Sequence, residues 1–182
     1  MRIAEYRRTP KTNGKQKMNY FLMKSEPESY SIEDFQKDKV TIWNSIRNYR
    51  ARNVMRDEMK PGDLFLFYYS MSDPTGVIGI GKILQNDLPD ETALDKKDDY
   101  YDPKATKAKN PWIAPKVQFV KRFKRIVTLD EIKKDKRLKN MVLLKTPRLS
   151  VQPVTKSEFE LITQKSAETQ EQIVPEPFSN QQ

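Results

Sequence analysis

The sequence predicts an α+β fold built on a curled, barrel-like sheet. Three observations carry that expectation. Apolar and β-branched runs alternate with short helical patterns in the order β-α-β-α-β-β-long loop-β-α-β-α, which lacks the regular alternation of a doubly wound fold. Helix starts of the form Ser/Thr-x-x-acid recur three times, each ahead of a short apolar stretch. Gly79 and Gly81 fall on one face of a strand pattern, the mark of a bulge or a close backbone approach at a barrel corner.

The totals restrict function before any motif does. With 182 residues and 36% hydrophobic content, the chain suits one domain with ragged ends. It has no cysteine, so disulfides and thiolate metal sites are impossible. It has no histidine, which excludes Ser-His-Asp and Cys-His catalysis and removes the commonest general base. No apolar run approaches a membrane span of ~20 residues, and nothing at the N-terminus reads as a signal peptide. An intracellular protein is expected, in the cytoplasm or nucleoid of a bacterium or the nucleus of a eukaryote. Net charge is +9, of which +5 falls in residues 1–17 and −2 in residues 163–182, so the body itself is basic. A basic body favours a polyanionic partner, nucleic acid first.

Residues 1–17 read as a flexible basic arm, 18–162 as the folded domain, and 163–182 as a disordered polar tail. Asn19–Met23 is an apolar run that reads as a buried strand. Lys24-Ser25-Glu26-Pro27 ends it in a turn, since the proline disfavours helix before it. Lys24 and Ser25 then sit at a strand's C-terminal end, where site residues often lie. Ser31 caps a helix with Asp34 at N3, Thr128 another with Glu131, and Thr155 a third with Glu158. The flanking pairs Tyr30/Phe35, Val127/Ile132 and Val154/Phe159 are hydrophobic staples. Lys39–Ile42 is a β-branched strand.

The stretch Ile42–Asn53 is chemically the densest. It holds one tryptophan, one tyrosine, three arginines and three asparagines in twelve positions. A helix is expected from about Asn48 to Met59, capped by Asn44 or Asn48, with Tyr49, Met55 and Met59 buried. Trp43 to Arg47 then form the loop feeding its N-terminus. Trp43 reads equally as a stacking face or as core. Arg52 and Asn53 read at least as well as supports for a helix end. Arg148 is either a ligand contact or the partner of a buried carboxylate such as Asp63.

Lys60-Pro61-Gly62-Asp63 is a turn, Leu64–Ser70 a central strand, Met71–Gly76 a loop and Val77–Leu84 a further strand. Residues 86–111 form an excursion with seven carboxylates between Asp87 and Asp102, without the spacing or glycine of a calcium loop. Tyr100, Tyr101 and Trp112 make it ordered, packed on the body or part of a pocket rim. Lys116–Arg125 is a strand, and Lys121, Arg122, Lys124 and Arg125 make either a phosphate stripe or a solvated edge. Lys145–Val154 is extended and closed by prolines, and the last helix fades near Ile162.

Together these motifs resemble the EVE domain family. The resemblance rests on Lys24-Ser25-Glu26-Pro27, Trp43–Asn53, Met59–Asp63, Phe67–Ser70, Tyr101–Lys104 and Arg148–Pro153, and it runs from about Met18 to Ile162. It implies a PUA-like pseudo-barrel of mixed, mostly antiparallel strands with small flanking helices, related to the YTH domains that read methylated adenine in RNA. It further implies a reader of modified cytosine such as 5-methylcytosine in DNA, with a base-sized aromatic pocket. By motif, the candidate contacts are Ser25, Trp43, Asn44, Arg47, Asn48, Arg52, Asn53, Tyr69, Ser70, Arg148 and Ser150, with Trp112 as a further stacking face. The family usually has histidine where this chain has Tyr69, which implies a changed preference if that position meets ligand. Ser45 stands where glycine is common.

The expected activity is recognition without catalysis, with no cofactor and no metal. The expected partner is nucleic acid, DNA ahead of RNA, bound by a monomer and not at a membrane. Stacking of a flipped base on Trp43 is worth roughly 1–3 kcal/mol. An RNA-binding module and a small-molecule or nucleotide sensor using the same pocket are the alternatives. A nuclease built on the carboxylates of 87–102 ranks last, since they lie away from the motif-rich stretches.

Overall fold

In chain order, the regular elements are β1 (Tyr20–Ser25), α1 (Ile32–Asp38), β2 (Val40–Ile42), α2 (Tyr49–Asn53), β3 (Leu64–Tyr69), β4 (Gly76–Gln85), β5 (Lys116–Thr128), α3 (Leu129–Lys134), α4 (Val142–Lys145), β6 (Val151–Val154) and α5 (Lys156–Lys165). The structure is a computed structural model that describes residues 17–168. The expected basic arm lies outside the described residues except for Lys17, as does the expected tail beyond Glu168.

The six strands form one sheet in the order β2-β5-β4-β3-β1-β6. Only β1 and β3 run parallel. The other neighbours are antiparallel. The parallel pair is joined by a crossover through α1, β2 and α2, as parallel strands require. Period-two alternation sends Phe21 and Met23 of β1 and Phe65 and Phe67 of β3 to one face, and Leu22, Leu66 and Tyr68 to the other. The first face packs against Ile32 and Phe35 of α1 and Ala51, Val54 and Met55 around α2. The second packs against Ile132, Leu143, Phe159 and Ile162 of the later helices. This is the expected α+β, PUA-like architecture: a curled sheet with small helices, open rather than closed, because β2 and β6 remain its two ends.

The two strand glycines act as close-approach points. A Cβ on Gly81 would sit 2.2 Å from the Phe65 ring, and one on Gly79 would sit 2.7 Å from Ile32 Cδ1. Register shifts in the β4–β5 ladder fall between Val77 and Gly79 and between Ile80 and Gly81, so this is where the sheet bends. All three helix starts form as full capping boxes at Ser31, Thr128 and Thr155. The shorter Asp34 suffices, accepting from the Ser31 amide at 3.1 Å.

Several local expectations change. Asn48, not Asn44, caps α2, accepting from the Ala51 amide at 3.0 Å. The α-helix stops at Asn53 and continues as a π turn, Val54–Glu58. Met55 and Met59 are buried as expected, but Tyr49 is 57% exposed, because it covers the excursion rather than the core. The last helix runs on to Lys165, and Ser166 is buried. It is held by Arg125, whose Nη2 donates to the Lys165 carbonyl at 2.8 Å. No helix among the described residues is long and apolar enough to cross a membrane.

Candidate functional site

The C-terminal ends of β1 and β3 point the same way because these strands are parallel, and a cleft opens there. The Ser70 amide donates to the Ser25 carbonyl at 2.9 Å, and the Lys24 amide donates to the Ser150 carbonyl at 3.0 Å. Backbone bonds therefore bring Lys24, Ser25, Ser70, Arg148 and Ser150 onto one wall. The other wall is the loop after β2, with Trp43, Asn44, Arg47 and Asn48. Residues flanking both end strands of the sheet thus line one hollow, which shows how far the sheet curls. Its volume is about 700 Å³, within the ~300–1,000 Å³ range of small-ligand sites. A second hollow of about 820 Å³ lies at the opposite end of β1, beside Asn19 and Thr155, and is lined by none of the candidate contact residues.

Trp43 is a core residue first. Only 7% of it is exposed, and its ring meets Tyr30, Phe35, Phe65 and Phe67 edge-on at 5.4–6.4 Å. What remains is a strip at the cleft, and its indole N–H has no acceptor among the described residues. Trp43 therefore forms the floor of the cleft and leaves no open face for full stacking. Tyr100, which the sequence offered either as packing or as part of a pocket rim, supplies an aromatic rim. It is 48% exposed and fixed by Arg47, whose Nε donates to its carbonyl at 2.6 Å.

The polar groups divide into donors and acceptors. The Ser25 hydroxyl donates to the Tyr30 carbonyl at 2.7 Å, so toward the cleft it can only accept. The side-chain carbonyl of Asn48 is used as the helix cap, and that of Asn44 accepts from Ser45 Oγ at 3.2 Å, leaving their amide groups as donors. Lys24 was a strand-end residue by sequence. It donates to the Pro147 carbonyl, lies 5.4 Å from the Tyr68 ring, and keeps further N–H donors. Burial lowers its pKa from the ordinary lysine value. Arg148 is exposed at the rim and makes no hydrogen bond or ion pair among the described residues. Its suggested partner, Asp63, is taken instead by the amides of Asn19 and Lys60, both at 2.8 Å.

Most of the remaining candidates are committed to contacts within the protein. Arg47 lines the cleft, but each of its guanidinium nitrogens is already engaged within the protein. Nη1 pairs with Asp90 at 2.7 Å, Nη2 donates to Thr92 Oγ1 at 2.7 Å, and Nε holds Tyr100. Arg52 donates to the Pro111 carbonyl at 2.8 Å and to Asn53 Oδ1 at 2.9 Å, which makes both supports of α2. Trp112 is buried under the excursion, its indole N–H on Asp102 at 2.7 Å. Tyr69 caps α1 from the side, its hydroxyl accepting from the Ile32 amide at 2.8 Å. Tyr69 is not among the residues that line the cleft, although Ser70 beside it is. On β5, Arg125 is held bidentately by Glu131 at 2.8 and 3.0 Å, and Arg122 pairs with Glu33 at 2.7 Å. Lys121 and Lys124 alone of that stripe stay exposed and without an ion pair among the described residues.

The residue that sequence reasoning missed is Asp90. It is fully buried, receives Arg47, and accepts from the Ser45 amide at 2.9 Å. Nothing local marks it among the seven carboxylates of its segment. Three of the others make short-range turns: Asp95 accepts from the Lys97 amide, Asp98 from Tyr100 and Asp102 from Lys104. Among the described residues no group of three or more acidic residues is arranged to hold a metal ion. Ser45 has φ 67°, the left-handed region where glycine is favoured, so the loop departs from glycine at a backbone cost.

Comparison with known proteins gives a consistent result. Residues 19–165 match the family described as EVE domain. Thymocyte nuclear protein 1 of Rattus norvegicus is 41% identical, across 85% of this chain and 76% of that protein. The crystal structure of human THYN1 protein in complex with 5-methylcytosine-containing DNA is 36% identical with a TM-score of 0.79, covering 84% of this chain and 99% of that one. A YTH domain from Zygosaccharomyces rouxii MRB1, solved with N6-methyladenosine RNA, shares the fold at 17% identity and TM-score 0.51, over 92% of this chain and 93% of that one.

Proposed function

This chain belongs to the EVE domain family, and from that premise we propose that it is a nucleic-acid reader that takes a cytosine modified at C5, in DNA, into the cleft without transforming it. The observation that carries the reading is the convergence of the β1, β3 and β6 ends with the Trp43–Asn48 loop on one hollow. The human relative, solved in complex with 5-methylcytosine-containing DNA, supports DNA as the partner.

The donor and acceptor arrangement suits a cytosine edge. The base carries an amine donor at N4 and acceptors at O2 and N3. Ser25 offers an acceptor for the amine, while Lys24 and the amide groups of Asn44 and Asn48 offer donors for the acceptors. Ile42, Trp43, Ile46 and Pro147 add apolar surface to the cleft lining, against which a methyl group can pack. Extruding a base costs a few kcal/mol, so contact with Trp43 and Tyr100 needs help from phosphate contacts. Arg148 is the best-placed cation for that role. Glu26 is the one carboxylate among the described residues lining the cleft, and there is no histidine or cysteine beside it. That supports recognition over hydrolysis.

The test is competition binding with a short DNA duplex carrying one 5-methylcytosine, the same duplex unmodified or hydroxymethylated, and a matched RNA. The reading expects a modified duplex to compete best. Equal competition by all DNAs would remove the modified base from the account, and preference for the RNA would move the function to the RNA-binding alternative.

A further inference from the structure

The loop leaving β3 carries an apolar side chain that neither the core nor the cleft uses. Ser70 lines the cleft and Met71 follows it directly. Met71 is 84% exposed, the most open large hydrophobic residue among the described residues. Its φ is 53°, a left-handed backbone that disfavours any side chain. Both terms oppose a methionine here: glycine would relieve the backbone, and a polar residue would suit the water.

The loop around it is fixed. The Ser70 amide is held by Ser25 at 2.9 Å, Thr75 Oγ1 donates to the Ser72 carbonyl at 2.7 Å, and the Leu129 amide donates to the Thr75 carbonyl at 2.8 Å. Met71 therefore stands on a rigid base beside the mouth of the cleft. Backbone strain of this kind concentrates at functional positions.

Extruding a base leaves a gap in the duplex stack. Proteins that deform DNA fill such gaps with apolar wedges, methionine among them. The unbranched, polarisable thioether adapts to a gap between base pairs better than a branched side chain would. We propose that Met71 is this wedge: it enters the duplex beside the extruded base and holds the gap open while the base occupies the cleft. The proposal rests on the reading of the cleft given above and adds duplex DNA, rather than a single strand, as the form that Met71 recognises.

Met71→Gly tests it, because the two consequences have opposite signs. Removing the side chain at a left-handed position raises the thermal midpoint. It weakens binding to a duplex with one 5-methylcytosine by about tenfold or more, since unstacking costs a few kcal/mol per step. Binding to the same methylated strand, single-stranded, stays at the wild-type value, and Met71→Leu, apolar but branched, binds the duplex more tightly than Met71→Gly and less tightly than wild type. Wild-type protein that does not prefer the methylated duplex overturns the reading of the cleft and the wedge with it. Wild-type preference for that duplex, with Met71→Gly matching it or losing duplex and single-strand binding equally, overturns the wedge alone.

Discussion

The two walls of the cleft are built by different physics. The wall made from the ends of β1, β3 and the segment entering β6 is set by sheet register: Ser70 is placed by Ser25, and Ser150 by Lys24, through backbone bonds that any sequence with these strands would make. The wall made from Trp43–Asn48 is a loop, and it is held from behind by one buried ion pair. Asp90 binds Arg47 and the Ser45 amide, and Arg47 in turn fixes Tyr100 and Thr92. The first wall is robust to side-chain change. The second depends on a partner 43 residues away in sequence.

The largest effect should therefore come from Asp90. Asp90→Asn leaves Arg47 without its charge partner, and breaking a buried pair costs about 3–5 kcal/mol. Chemical denaturation should show a loss of that order, and binding should fall with it because the Trp43 and Tyr100 sides of the cleft lose their anchor. A loss under about 1 kcal/mol would mean that the loop wall is held by packing instead.

Arg148→Ala probes the register-set wall and should separate binding from stability. Unfolding should be unchanged, since the side chain is exposed and makes no ion pair among the described residues. DNA affinity should fall several-fold, and the slope of log affinity against log salt should decrease by about 0.9, one phosphate contact. The double change Lys121→Ala/Lys124→Ala on β5 should do less at the same salt. The reverse ranking would return the phosphate role to the β5 stripe.

The smallest effect is expected at Ser45. With φ 67°, Ser45→Gly relieves left-handed strain and should stabilise by about 0.5 kcal/mol, after the entropy that glycine adds to the unfolded chain. A loss of stability would show that Ser45 Oγ on Asn44 matters more than the backbone.

The same contrast explains what the sequence could and could not reveal. The sheet was legible because β3 reads as an unbroken apolar run and β1 as a shorter one, and both are buried. The helix starts were legible because a capping box is a local pattern, and all three formed. The aromatic and charged residues of the Trp43–Asn53 stretch were legible as a group but not one by one. Whether an arginine reaches a ligand depends on whether its donors are already taken, and the partners of Arg47, Arg52 and Arg125 are set by tertiary contacts with Asp90, Pro111 and Lys165. Tyr49 was misplaced for the same reason. Helical spacing cannot foretell that the 86–111 excursion folds back so that Trp112 lies 4.7 Å from its ring. The segments that carry the resemblance contribute most of the cleft lining, which includes Lys24 and Tyr100 but not Tyr69 or Trp112.

The central claim is that the base enters beside Trp43, and the protein carries its own reporter for it. It has two tryptophans, and only Trp43 lines the cleft. The direct measurement is indole fluorescence of the Trp112→Phe protein, titrated with the methylated duplex and with its unmodified counterpart. The account predicts that the Trp43 emission changes on binding and saturates at a lower concentration of the methylated duplex. Binding of that duplex with no change in Trp43 emission would contradict it and place the DNA elsewhere on the molecule.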